Sequence, residues 1–199
     1  MSTAVTAPIE PYRSTKLPDV KLLMGVFLAS DCMFFGSLIG TYLAYRGRSL
    51  VGPFPEDVFD IPLTTVSSFV LLVSSFAMVI ALHSLRRTHI TLFRIWTMTV
   101  ALFGTIFLGF QLYEFVEFQQ AGLTIQSSLF CTSFFILTGT HGIPVTVGVI
   151  WLIALVIGSY IRPTSSKDAV YLEIAGLYWH FVDLVWIVIF TVVYLIEFV

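Results

Sequence analysis

The chain has 199 residues, of which 57% are hydrophobic and 11% charged, with a formal charge of −2 and a mean hydropathy of +0.94. Soluble domains carry about 25% charged residues, so this composition excludes a soluble enzyme, and no basic patch points to nucleic acid. Apolar spans of ~20 residues use up most of the length in four to six crossings. The expected fold is therefore all-α: a polytopic membrane protein, a bundle of five transmembrane helices.

The predicted elements follow in order. Residues 1–20 form a polar tail with Pro8, Pro11 and Pro18. Glu10, Asp19 and the long apolar segment behind them argue against a signal peptide. Span one covers about 22–45 and contains Asp31, with Gly36 and Gly40 spaced for close helix approach. A loop rich in glycine, proline and acids follows, and Pro62 suits the first turn of a helix. Span two covers about 63–83 and is rich in serine and threonine, residues that often face neighbouring helices. The stretch 83–94 reads as a basic turn holding Arg86, Arg87 and Arg94. Span three covers about 95–118 and ends with Gln111, Glu114 and Glu117. Span four covers about 128–161, where Pro144 removes the helical bond to the Thr140 carbonyl. Span five covers about 169–198. The tail through Lys21, the basic turn and the 162–168 loop hold every lysine and arginine except Arg46 and Arg48. The positive-inside bias thus predicts a cytoplasmic N-terminus and an external C-terminus.

Charged and titratable groups inside a membrane are costly and mark function or fastening. Asp31 lies near the midplane and reads either as a proton-exchanging carboxyl or as an acid that joins helices. Glu114 suits an interhelix hydrogen bond, whereas Glu117 reads as an acidic helix end in the headgroup region. In span five, His180 and Asp183 are three apart and can touch, and Glu173 falls on the same face. These three are expected to form one polar stripe. His141 and His180 admit two readings. One is a haem held between two axial histidines. In the other, His180 bonds to Asp183 or Glu173, and His141 to a threonine or a backbone group freed by Pro144. Arg86 and Arg87 suit lipid phosphates. Cys32 and Cys131 lack the spacing of a metal or dithiol motif and read as packing residues. No nucleophile–base pair, phosphate loop or metal cluster appears, so no catalytic, cofactor or metal residue is predicted.

Several motifs together resemble subunit III of the haem–copper terminal oxidases, the cytochrome c and quinol oxidases, in its short five-span bacterial form. Tyr178-Trp-His-Phe-Val-Asp-Leu-Val-Trp186 is similar to the family's most characteristic stretch. Thr138-Gly-Thr-His-Gly142 resembles its fourth-span signature, and Gly109-Phe-Gln-Leu-Tyr-Glu-Phe115 the end of its third span. Ser30-Asp-Cys-Met-Phe-Phe35 and Phe59-Asp-Ile-Pro-Leu63 resemble the first span and the entry to the second. The resemblance implies an integral subunit of a proton-pumping oxidase in the bacterial inner membrane, partnered by subunits I and II. It implies that haem and copper belong to partner subunits, that phospholipid binds this chain, and that the chain stabilises subunit I and supports proton uptake. Asp31 would be the family's membrane carboxyl, and Glu114, His141, Glu173, His180 and Asp183 its polar positions. Pro144 departs from a second histidine that the family often carries. Asp31 in place of glutamate leans towards the quinol-oxidase pattern. The rival readings are an accessory subunit of a nitric oxide reductase, an independent bis-histidine membrane cytochrome, and a small transporter using Asp31.

Overall fold

The computed structural model describes residues 19–45, 61–165 and 168–196. Residues 1–18 of the predicted 1–20 tail, the loop at 46–60 with the first two residues of the second-span entry motif, residues 166–167 and residues 197–199 lie outside the described residues, and the last two residues of the predicted tail belong to the first helix. Among the described residues, five helices are long and apolar enough to cross a membrane. They are α1 (Asp19–Tyr45), α2 (Ile61–Arg86), α3 (Ile90–Gln120), α4 (Leu129–Ile161) and α5 (Ala169–Phe190). α5 continues into a π-helical turn over Thr191–Leu195.

Local chemistry sets the helix ends. The expected basic loop at 83–94 is shorter than its composition suggests, because α2 runs on to Arg86 and α3 starts at Ile90. The Thr88 N–H donates to the Leu85 carbonyl at 3.0 Å and the His89 N–H to the Ser84 carbonyl at 2.9 Å. This pair of back-bonds closes a helix end when the residue after the cap is left-handed. Here that residue is Thr88, at φ 61°. The end of α3 uses the same closure with glycine. Gly122 sits at φ 83°, its N–H donates to Gln119, and the Leu123 N–H donates to Phe118. Leu123 and Phe118 are both buried, which supplies the apolar contact that accompanies the motif. Ser128 starts α4 by accepting from the Cys131 N–H at 3.1 Å. Pro144 lies inside α4 without ending it, as membrane helices tolerate when neighbours satisfy the freed groups.

α5 is the centre of the bundle. It packs on α1, α2 and α4, while α3 closes the ring between α2 and α4. Half of the α5 span is buried, against 11% of α1. The contact face of α1 is narrow: Lys21, Met24, Leu28, Asp31, Phe35, Leu38, Tyr42 and Tyr45 are buried or half-buried at alternating steps of three and four, with Ile39 half-buried beside them. That spacing is the narrow seam of a coiled coil. Most of the remaining α1 surface is exposed.

Candidate functional site

The Tyr178–Trp186 stretch is the keystone of the packing. Trp179 is 1% exposed. Its indole lies between two glycines of different helices, and a Cβ added at Gly104 of α3 or Gly148 of α4 would fall 2.5 or 2.9 Å from its ring. Neither position tolerates a side chain while the indole stays in place. The Trp179 Nε1–H donates to Ser74 Oγ at 2.9 Å, and one heptad later the Trp186 Nε1–H donates to Ser68 Oγ, also at 2.9 Å. Between them the Ser75 hydroxyl donates to Asp183 Oδ2 at 2.6 Å. The two tryptophans thus pair with serines of α2 in antiparallel order, and Asp183 reaches back to Ser75 beside Ser74. In lipid, apolar surface alone gives helices little reason to associate, so small residues and interhelix hydrogen bonds carry that role.

A second cluster lies near the other end of the α2–α3–α5 contact. Glu114 is 5% exposed. The Tyr194 hydroxyl lies 2.9 Å from both its carboxylate oxygens, and the Thr64 hydroxyl donates to Oε1 at 3.2 Å. Tyr194 belongs to the π-helical turn that ends α5. Such turns shift side-chain register and recur at functional positions. Gln111, one turn before Glu114, donates to the Thr138 carbonyl and so ties α3 to α4. The groups that meet Glu114 come from α2 and from the turn that ends α5. Glu117 is exposed and accepts from Tyr113 at 2.9 Å.

The expected stripe of Glu173, His180 and Asp183 does not form one network. Asp183 is buried against Ser75, whereas His180 is exposed and makes no hydrogen bond with Asp183. The two stay within electrostatic range of each other. Glu173 turns to the helix ends instead, with Lys21 Nζ at 2.7 Å and Arg86 Nη2 at 3.3 Å. The reason is angular. At 3.6 residues per turn, Asp183 lies about 60° from His180 around the helix, on the side that carries Trp179 and Trp186. Arg86 is therefore engaged by an acid, while Arg87 is exposed.

His141 is fully buried, and neither ring nitrogen has a hydrogen-bond partner among the described residues. The threonine or backbone bond expected for it is not made. Its ring stacks on Trp186 at 5.0 Å and meets Phe35 and Phe107 edge-on at 6.0 and 6.1 Å. Aromatic rings occupy the space beside the imidazole, so a haem does not fit there without dismantling the core. Tyr178 donates to the Pro144 carbonyl at 2.9 Å, a different group from the Thr140 carbonyl that the proline leaves without its helical donor. Asp31 is half-buried in the α1 seam, within electrostatic range of Tyr178, and accepts no hydrogen bond from a described residue. Cys131 is buried and Cys32 exposed. Among the described residues, no three histidine, cysteine or acidic side chains come together as a metal site. Sequence reasoning missed Tyr194, Gly104 and Gly148, and placed Ser75 on a helix contact without naming Asp183 as its partner. The signal available for the glycines was a heptad pair of tryptophans that needed somewhere to sit.

These features define a multi-pass helical membrane protein whose intramembrane polar groups join its helices. The comparisons narrow this class. The profile of cytochrome c oxidase subunit III matches residues 15–197. The chain is 39% identical over 177 residues to a probable quinol oxidase subunit 3 of Staphylococcus saprophyticus, covering 88% of each. It is 36% identical over 195 residues to the cytochrome c oxidase subunit 3 of Bacillus sp. strain PS3, covering 97% of this chain and 94% of the relative. It is 37% identical over 189 residues to the quinol oxidase subunit 3 of Bacillus subtilis, covering 95% and 92%. The chain belongs to the cytochrome c oxidase subunit III family.

Proposed function

We propose that this chain is the helical scaffold subunit of a haem–copper oxidase, docked in the inner membrane beside subunits I and II, and that the redox chemistry takes place in those partners. The observation that carries this reading is how the intramembrane polar groups are used. Asp183, Glu114, Gln111, Trp179 and Trp186 each bond to another helix of the same bundle. A bundle fastened in this way suits a rigid support. Asp31 is different, since it lies in the α1 seam and accepts no hydrogen bond from a described residue. It is the carboxyl that would support proton uptake by the complex. Extensive exposed apolar surface on every helix suits lipid and partner helices. The distribution of lysine and arginine supports a cytoplasmic N-terminus.

The test is purification of the oxidase from cells with and without this chain. The expected result is that the chain copurifies with haem-bearing subunits, and that the complex lacking it turns over initially but inactivates faster. If the chain never copurifies with them, or if it alone carries stoichiometric haem by pyridine haemochrome assay, the proposal fails.

A further inference from the structure

Between α2, α3 and α5, beside the Glu114 cluster, a small cavity leaves about 10 Å³ for a water-sized sphere. Phe107 and Trp186 contribute apolar walls, and Thr64, Ser67, Gln111 and Glu114 supply the polar groups. Gln111 is buried and only half used. Its Nε2 donates to the Thr138 carbonyl, but its Oε1 has no hydrogen-bond partner among the described residues. Buried side-chain polar atoms are as a rule paired, and an orphaned one calls for a partner, ordered water included. A donor is to spare on the opposite wall. Ser67 and Ser68 both donate to the Thr64 carbonyl, at 2.9 and 2.7 Å. Ser68 is held there, because its oxygen also accepts from Trp186. The Ser67 proton duplicates that bond, and a hydroxyl rotates to suit its surroundings.

We propose that this cavity binds one water molecule, which joins the Gln111 tie between α3 and α4 to the Glu114 cluster. Room and partners both fit, since a buried water needs ~10–15 Å³ of such space and two to four polar neighbours. The water donates one proton to Gln111 Oε1 and the other to the Glu114 carboxylate, whose two oxygens accept at about four sites. It accepts from the Ser67 hydroxyl, turned away from the Thr64 carbonyl that Ser68 already serves. A metal cation fits less well. Hard cations take about six or more oxygens, and four polar side chains line this cavity. With the water in place, two separate interhelix ties become one network across α2, α3, α4 and the turn that ends α5. Connected hydrogen bonds of this kind are worth more than their pairwise sum. The inference needs only the helical bundle and not the partner subunits.

The test is a double-mutant cycle between Ser67→Ala and Gln111→Met, read in reversible unfolding of the full chain from mixed micelles. Ser67 bonds within α2 and Gln111 to α4, and no described hydrogen bond joins the two side chains. They couple through the water. Ser67→Ala should raise the unfolding equilibrium constant about threefold more in the parent than in Gln111→Met, the scale of an average interhelix hydrogen bond in a membrane. Gln111→Met also loses the Thr138 bond, but both proteins that carry it share that loss and it cancels in the cycle. In crystals of the full chain grown from a lipidic phase, a single peak should lie within ~3 Å of Gln111 Oε1 and of the Glu114 carboxylate, and Gln111→Met should lack it. Independent effects of the two substitutions would overturn the proposal, as would crystals that show ordered water elsewhere and none in this cavity. A peak with six oxygen neighbours at about 2.0–2.6 Å would be a metal ion and would overturn it too. Copurification with haem-bearing subunits is scored separately, so failure of this site leaves the subunit reading standing.

Discussion

Gly104→Ala tests whether the indole of Trp179 is the fixed point of the bundle. The new methyl would stand 2.5 Å from Trp179 Cη2 and 2.8 Å from Val149 Cγ2. Carbon atoms rest at about 3.5–4.0 Å, so something must move by about 1 Å. The indole cannot simply retreat. Gly148 meets its ring from α4, and its N–H is bonded to Ser74. Overpacking of this kind costs about 1–3 kcal/mol, and losing the Ser74 bond adds about 0.6 kcal/mol on the membrane average. Alanine returns up to about 1 kcal/mol of helix propensity. With the full propensity return, the net expectation is a loss of about 0.6–2.6 kcal/mol in reversible unfolding from mixed micelles. Gly109→Ala, on the same helix with nothing within 4 Å of the added Cβ, isolates the propensity term and should unfold no earlier than the parent. In a Trp179→Leu background, Gly104→Ala should become nearly neutral, because the two positions share one contact. If Gly104→Ala alone matches Gly109→Ala, the keystone argument is wrong.

Ser75→Ala and Asp183→Asn should each destabilise the bundle by about 0.5–2 kcal/mol and be non-additive together; His180→Ala should have little effect, and a larger loss from His180→Ala than from Ser75→Ala would restore the single-stripe reading. Thr88→Gly should raise stability by about 1 kcal/mol in thermal unfolding, since a β-branched residue is held in the left-handed region at φ 61°; a lower unfolding temperature would show that the Thr88 hydroxyl, which donates to the Arg87 carbonyl at 2.6 Å, matters more than the strain. Asp31→Ala should leave the subunit assembled and accelerate turnover-dependent inactivation of the oxidase; inactivation at the parental rate in the assembled variant would remove Asp31 from proton uptake.

The spans were legible because apolar length alone marks a crossing helix. Helix faces were not. In water, a buried face is the apolar one; in lipid both sides of a helix are apolar, and the period that reports packing fades. The α1 seam shows this. Leu28, Phe35 and Tyr42 are buried while Val26, Phe27 and Met33 are exposed, and nothing in their hydrophobicity separates the two sets. The basic turn at 83–94 failed for a related reason. Arg86 and Arg94 looked like loop residues, yet an arginine can remain in a helix when an acid or a carbonyl waits at its tip, as Glu173 and Ser159 do.

Polar residues should report a face better, and they do so only to within the width of a contact. Glu173, His180 and Asp183 look like one line in sequence. On the helix, about 60° separates His180 from Asp183, and that angle divides the exposed side of α5 from the side that meets α2. Which of the two an acid joins depends on the donor opposite, and Ser75 supplies one at 2.6 Å. The same logic singles out Asp31. It occupies the middle of a seam in which every other central position is apolar or aromatic, and α1 makes few other contacts. A carboxyl placed there contributes no described hydrogen bond to the docking of its own helix. Packing therefore does not account for it, whereas it does account for Asp183 and Glu114. The proposed proton uptake is therefore to be tested at Asp31 in the α1 seam, and the stability of the bundle at the tryptophans of α5.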